Sequence, residues 1–284
     1  MEQGNDGAGD RIRAGKMSRV PQNVEDKGAT QMALNQYART QLLIGEEGLE
    51  KLHRARVAVF GIGGVGAYCC EALIRSGVMT IDLFDDDRVS LTNLNRQLIA
   101  LHSTVGRHKV DVMADRLHDI NPEVRIVAHK MFYLPENADE IDLSQYDYVV
   151  DAVDTVTAKL ELITRCTALK VPIISAMGAG NKLDPGRLQV SDIHKTSTCP
   201  LARIVRAECR RRGIRRLKVV FSTEEPIRPR EDAAAACREQ ESGSSGMDRK
   251  GAGRKDIPGS VAFVPAVMGM MMAAEIVKDL LRKG

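Results

Sequence analysis

The chain has 284 residues, 43% of them hydrophobic, and its 41 Lys and Arg nearly balance 38 Asp and Glu, for a net charge of +3. That length fills a sizeable core and suits one large α/β domain as well as two small ones. The even balance excludes a nucleic-acid coat, so any basic surface has to be local. Six cysteines, Cys69, Cys70, Cys166, Cys199, Cys209 and Cys237, form no Cys-x-x-Cys pair and no signal peptide precedes them, which points to a reduced, cytoplasmic setting.

Residues 1 to about 30 are Gly-rich and polar, without a hydrophobic period to offset the entropy of ordering them. A disordered N-terminal arm is expected there. Arg11, Arg13, Lys16 and Arg19 hint at a transit peptide, against which stand Glu2, Asp6 and Asp10. From residue 31 to 284 a single domain is expected.

Short apolar runs then alternate with helical patterns, as a parallel sheet with helical crossovers requires. VAVF (57–60) is the first strand, and a glycine loop leads from it into a helix ending near Gly77. TIDLF (80–84) follows. After Gly106, Val110, Met113, Leu117 and Ile120 share one helical face until Asn121-Pro122 stops the helix. VRIVAH (124–129), YDYVVDAV (146–153) and VPIISAM (171–177) continue the sheet. The fold class is therefore doubly wound α/β, mostly parallel, with a Rossmann-like nucleotide-binding half.

Beyond Gly178 a mixed C-terminal extension is expected, with RLQVSDI and LKVVFS as strands around a very basic helix over about residues 200–212. Residues 228–256, which include ESGSSG, read as a mobile loop. A last helix covers about 265–282. Its apolar run, 261–274, is too short to span a bilayer and is interrupted by Pro265 and Gly269, so a buried helix and no membrane are expected. Its methionines, Met268, Met270, Met271 and Met272, suit a core or a dimer interface.

Gly61, Gly63, Gly64 and Gly66 form a G-x-G-G-x-G loop between a strand and a helix, where backbone N–H groups can approach a phosphate. Asp85, Asp86 and Asp87 stand about where a ribose-binding acid belongs, roughly 20 residues on. The bland alternative is a packing turn with three surface aspartates behind it. Loop and acid together do not separate NAD from ATP.

The segment DDDRVSLTNLNRQLIALHSTVGRHK (85–109) bears on that choice. Asn93, Arg96, Gln97 and Lys109 could reach a triphosphate together, and the two cations could neutralise charge moving onto a leaving pyrophosphate. Such a cluster has little to do in hydride transfer. Taken singly, Asn93 and Gln97 could be caps, Arg96 a surface ion pair and Lys109 part of an exposed helix face.

VAVFGIGGVGAY, DDDRVSLTNLNRQ, VGRHK and VVDAVDTVTAK, in that order, resemble the ThiF/MoeB/HesA superfamily of adenylating enzymes, related to ubiquitin-activating enzymes, over about residues 34–282. The resemblance implies ATP and Mg2+ as cofactors. It assigns Asp85 to the ribose, Asn93, Arg96, Gln97 and Lys109 to the phosphates, and Asp154 to magnesium at a strand's C-terminal end. It also implies a homodimer in which Arg39, in NQYARTQLLIG, reaches the partner's ATP. Otherwise Arg39 caps a helix before Gly45. Asp151 reads as structural.

Carrier-activating members of that superfamily commonly hold structural zinc through two Cys-x-x-Cys pairs, which this chain lacks. Its second half, SAMGAGNKLDPGRLQVSDIHKTSTCPLARIVRAECRRRGI, then KVVFSTEEP, then GSVAFVPAVMG, resembles the tRNA threonylcarbamoyladenosine dehydratase branch. That branch implies a tRNA substrate, adenylation of the threonyl carboxylate and ring closure within the substrate, without an enzyme nucleophile. It also admits a sulfur-relay or cysteine desulfurase partner. Activation of a ubiquitin-like sulfur carrier, an NAD-dependent oxidoreductase and a non-enzymatic RNA-binding scaffold remain as rivals.

Within the basic helix, Arg206, Arg210, Arg211 and Arg212, with Arg203, Arg215 and Arg216 beside them, are candidates for RNA backbone contact, balanced against a solvated face. Cys199, at that helix's start, reads as a cap or packed residue rather than a reactive thiol. Cys69 and Cys70 read as core, and Cys237 as accidental exposure in the loop. His102 and His194 could carry protons but read as structural or surface residues.

Overall fold

Strands alternate with helices along the computed structural model, which describes residues 35–231 and 258–282. In chain order they are α1 (Ala38–Arg54), β1 (Arg56–Phe60), α2 (Gly66–Ser76), β2 (Thr80–Phe84), α3 (Lys109–Ile120), β3 (Arg125–His129), β4 (Tyr148–Asp151) and α4 (Val156–Leu169). After them come β5 (Ile173–Ala176), β6 (Leu188–Asp192), α5 (Pro200–Arg211), β7 (Lys218–Ser222) and α6 (Phe263–Arg282). The arm expected over residues 1–30 and nearly all of the loop expected over 228–256 lie outside the described residues.

The sheet has the order β3-β2-β1-β4-β5-β7-β6 and is parallel except for the β6–β7 pair. Its central strands are continuous apolar runs because both faces are covered. Leu52 of α1, Leu73 of α2, Met113 of α3 and Met268, Met272 and Ile276 of α6 pack on one face. Leu162 and Cys166 of α4 and Val205 and Cys209 of α5 pack on the other. The doubly wound class and the mixed extension are as the sequence predicts. The chain leaves β1 in one direction toward β2 and β3 and returns on its other side as β4. The crevice between β1 and β4 is therefore the topological switch point where such sheets bind ligands.

Two glycines show how local chemistry sets the packing. Gly77 ends α2 in the left-handed region at φ 120°, where its N–H donates to the Ile74 carbonyl. Gly269 lets α6 cross α2 closely, since a Cβ there would overlap the Val65 carbonyl oxygen. The methionines of α6 divide accordingly, with Met268 and Met272 in the core and Met270 exposed.

YDYVVDAV and VPIISAM yield shorter strands than their apolar runs, Tyr148–Asp151 and Ile173–Ala176. Beyond them the chain turns out of the sheet to wall a cavity, so Asp154 stands three residues past the strand end rather than on it. No helix among the described residues is long and apolar enough to cross a membrane.

Candidate active site

A cavity of about 450 Å³ opens at the C-terminal ends of β1, β4 and β5. The glycine loop forms one wall. The Gly61 N–H donates to the Phe84 carbonyl at 2.8 Å, and its φ of 89° favours glycine. A Cβ at Gly61 would lie 2.7 Å from the Ala152 carbonyl oxygen, and one at Gly66 would overlap the Gly61 carbonyl. Gly63 differs, because a Cβ there would meet only Gln97 Nε2, at 3.8 Å, and would otherwise stand in the cavity. Gly63, Gly64 and Val65 thus present the start of α2 to the cavity, where free N–H groups and the helix dipole favour an anion.

The next wall follows β2. Asp85 accepts hydrogen bonds from the Ile62 N–H at 2.7 Å and the Asp87 N–H at 2.8 Å, bracing the glycine loop. Burial pushes the Asp85 carboxyl up, against the pull of the Lys109 charge. Backbone pairing of residues 87–89 with 106–109 carries the start of α3 to this place. Lys109 Nζ there lies 2.8 Å from Asp87 Oδ2. Lys109 is 5% exposed, which corrects the reading of an exposed helix face. It also occupies a helix N-terminus, where the dipole disfavours a cation.

Arg96 and Gln97 line the same wall. Arg96 Nη1 donates to the Thr92 carbonyl and to Asn95 Oδ1, both at 2.9 Å. Gln97 is 8% exposed, and its buried Oε1 has no hydrogen-bond partner among the described residues. Asn93 is outside the cavity lining; its Oδ1 accepts the Ser90 N–H at 3.1 Å, the capping role. Asp154 reaches the cavity from an exposed position, with Thr155 Oγ1 at 3.4 Å from its Oδ1. Beneath it Asp151 is fully buried and accepts both of its 2.8 Å bonds from Lys159 Nζ, with a further bond from Ser175 Oγ, so its role is structural. Burial pushes the Asp151 carboxyl up, opposed by Lys159.

Arg39 is exposed in the first turn of α1 and outside the cavity lining. The basic helix starts at the cavity, with residues 199–201 in its wall, and runs 12 residues, roughly 18 Å, back toward the start of β7. Arg210, Arg211 and Arg212 lie at that far end. Arg211 and Arg212 pair with Glu208, and Arg206 donates to the Thr196 carbonyl and Oγ1 at 2.7 and 2.6 Å. Arg210 and Arg203 are exposed.

His194 Nε2 lies 2.9 Å from the Ile214 carbonyl, and neither His194 nor His102 reaches the cavity. Burial pushes the Cys69 and Cys70 thiols up, in keeping with core positions. Cys199 is buried in the cavity wall, and Cys237 lies outside the described residues.

Two features escape the sequence reading. Phe60, Phe84 and His129 stack in series at 4.2 Å spacings, and the first two line the cavity. Lys182 lines the cavity beyond β5 at only 3% exposure. No periodicity announces either; the glycine-flanked stretch GAGNK is the one local signal for Lys182.

An α2 N-terminus, an open glycine face and two cations on one wall suit a polyphosphate. Asp154, a hard oxygen ligand beside them, suits Mg2+, which binds through one or two carboxylates and the phosphates themselves. Asp85, Asp86 and Asp87 bring carboxylate oxygens within 4.8 Å of one another, but Asp85 is held by backbone N–H groups and Asp87 by Lys109.

The model of the ThiF family matches residues 37–284. The chain is 48% identical to the tRNA threonylcarbamoyladenosine dehydratase of Bacillus subtilis over 88% of this chain and 96% of that protein. It is 36% identical to the Escherichia coli enzyme of the same name over 86% and 92% of the two chains. A crystal structure of the E. coli tRNA N6-threonylcarbamoyladenosine dehydratase, TcdA, in complex with ATP matches with a TM-score of 0.74 at 33% identity, covering 88% of this chain and 96% of that one. The chain belongs to the ThiF family, in the branch that holds the tRNA threonylcarbamoyladenosine dehydratases.

Proposed function

We propose that the protein is an ATP-dependent dehydratase that cyclises threonylcarbamoyladenosine on tRNA, working as one adenylating domain over residues 31–284. The observation that carries this reading is the polyphosphate wall of Gly63, Arg96, Gln97 and Lys109 in a chain 48% identical to a relative bearing that enzyme's name.

In this reading the triphosphate lies over the N-terminus of α2. Asp85 faces the ribose, while Arg96, Gln97 and Lys109 face the phosphates. Mg2+ at Asp154 neutralises charge on the phosphate oxygens when bound. A threonyl carboxylate oxygen attacks the α-phosphorus. The bond to the bridging oxygen breaks and pyrophosphate leaves with the electron pair, where Arg96 and Lys109 meet the charge. A ureido nitrogen of the same substrate then attacks the activated carbonyl carbon. The C–N bond forms, AMP leaves with its electron pair and the nitrogen gives up its proton. Both reactants belong to one molecule, so closure needs no enzyme nucleophile.

Arg39 completes the site of a second copy in a homodimer. Exposed Leu42 and Leu43 stand beside it on α1, at 77% and 88% exposure, and suit such an interface. A cytoplasmic location and a sulfur-relay partner fit the tRNA substrate. The tRNA is expected to approach the cavity end of the sheet. Arg203 stands nearer that end than Arg210, Arg211 and Arg212, which serve a more distant part of the RNA. Without Cys-x-x-Cys pairs the carrier-activating rival has less support.

The test is ATP consumption with three additions. AMP is expected with tRNA bearing threonylcarbamoyladenosine and not with unmodified tRNA. AMP formation only with a ubiquitin-like carrier protein would replace this reading with carrier activation.

A further inference from the structure

We infer that Lys182 binds the carboxylate of the substrate that is to be adenylated. The inference rests on the proposed dehydratase reading and assigns its acceptor subsite.

Lys182 is 3% exposed, and its ammonium has one hydrogen-bond partner among the described residues, the neutral Gly180 carbonyl at 3.2 Å. Glu224 feels its charge, but no ion pair joins them, and both Glu224 oxygens accept backbone N–H groups, of Leu183 and Asp184, at 2.9 Å. A buried ammonium facing only a neutral carbonyl is costly, and proteins ordinarily pair such a charge. Here the missing partner is an anion in the cavity that Lys182 lines.

The surrounding backbone holds Lys182 in place. Asn181 sits in the left-handed region at φ 59°. Its N–H donates to the Gly259 carbonyl at 2.7 Å, its carbonyl accepts the Ile227 N–H at 2.8 Å, and its Oδ1 accepts the Gly259 N–H at 2.7 Å. With Leu183 and Asp184 capped by Glu224, the residues on both sides of Lys182 are tied down. Non-glycine residues in that backbone region cluster at ligand clamps.

The position within the sheet selects the anion. The polyphosphate wall follows β1 and β2, Lys182 follows β5, and Asp154 follows β4 between them. Adjacent strands are about 4.8 Å apart, so β5 lies roughly 10 Å from β1 and roughly 14 Å from β2. That gap accommodates an α-phosphate over Asp154 with a second anion beyond it. A carboxylate approaching a triphosphate is repelled, and a fixed cation on its far side both offsets the repulsion and aims the oxygen at phosphorus. The lysine takes no part in bond making. The carboxylate oxygen forms the bond to phosphorus and pyrophosphate carries off the electron pair, as described above.

The experiment compares the parent protein with Lys182→Met, which keeps the volume and removes the charge, and with Lys182→Arg, which keeps the charge. Each is assayed for AMP release with modified tRNA, for nucleotide affinity, and for inhibition by free threonylcarbamoyladenosine against its carboxamide. Lys182→Met is expected to lose about 100-fold in kcat/KM, the usual scale for removing one partner of a buried charge pair. Its ATP affinity should stay at the parental value. The parent should prefer the carboxylate inhibitor over the carboxamide, Lys182→Met should show no preference, and Lys182→Arg should regain part of it. Retained preference in Lys182→Met would overturn the assignment, as would a loss of ATP affinity matching the loss of turnover. A parent that makes no AMP with modified tRNA would overturn the proposed dehydratase itself, so the two failures are distinguishable.

Discussion

Lys109 Nζ sits 2.8 Å from Asp87 Oδ2 across a backbone pairing that joins the end of β2 to the start of α3. The pair holds a nearly buried cation in the cavity wall, and the proposed reaction has charge develop on a leaving pyrophosphate there. Lys109→Met is therefore expected to lower kcat for AMP release by about 100-fold or more, the scale seen when one preorganised charge stabiliser is removed. Steady-state kinetics with modified tRNA check this, and parental turnover would remove Lys109 from the phosphate site.

Gly63 and Gly66 separate affinity from folding. A Cβ at Gly66 overlaps the Gly61 carbonyl, whereas one at Gly63 meets only Gln97 Nε2 at 3.8 Å. Gly66→Ala is expected to lower Tm markedly. Gly63→Ala should keep Tm and weaken ATP binding at least tenfold, because the methyl group occupies the phosphate's space. Thermal melts with and without ATP distinguish the two; equal ATP-induced stabilisation of Gly63→Ala and the parent would place the triphosphate elsewhere.

Asp154 is exposed, so Asp154→Asn should leave the unfolding free energy within about 0.5 kcal/mol of the parent. AMP formation should nearly vanish, and the magnesium dependence of ATP binding should flatten. A variant with normal magnesium dependence would assign the ion to other groups.

Arg39 lies outside the cavity of its own chain. Arg39→Ala and Asp154→Asn should each be inactive alone. Mixed dimers should regain up to about one quarter of the parental activity, since random mixing makes half the dimers heterodimers, each with one intact site. Absence of rescue would place Arg39 outside a shared site.

Glu71 links α2 to α3 through Arg116 Nη2 at 3.1 Å and also accepts from Arg75 at 3.0 Å. Burial pushes its carboxyl up, but these arginines outweigh burial and hold it below its ordinary value of 4.5. A carboxyl lowered in the folded state stabilises above its unfolded pKa, and that stabilisation disappears as pH falls through the folded pKa. The parent should exceed Glu71→Gln in urea midpoint near neutral pH, and the gap should close below about pH 4. A gap that persists in acid would show that packing, not charge, sets the difference.

Local chemistry made much of this legible. VAVF, TIDLF and LKVVFS became strands because apolar runs bounded by glycine and polar residues can be buried only that way here. The switch-point crevice follows from the glycine loop coming directly after the first strand. Long-range geometry was not legible. The burial of Lys109 depends on pairing between residues 87–89 and 106–109, which no hydrophobic period encodes. Arg206 was an RNA candidate by charge, yet it is drawn back to Thr196, and the direction of α5 carries Arg210, Arg211 and Arg212 away from the cavity. Asn93 fits a family motif but its amide oxygen serves a turn. Lys182 stood in a stretch with no repeat or charge run to mark it.

In the proposed reaction the substrate's own carboxylate attacks ATP at the α-phosphorus. The most direct measurement uses tRNA whose threonyl carboxylate carries heavy oxygen, incubated with the protein, ATP and Mg2+, followed by mass analysis of AMP and nucleoside. One heavy oxygen is expected in the AMP phosphate, with a nucleoside lighter by one labelled water. Unlabelled AMP, or labelled carboxylate left intact while ATP is consumed, would contradict it.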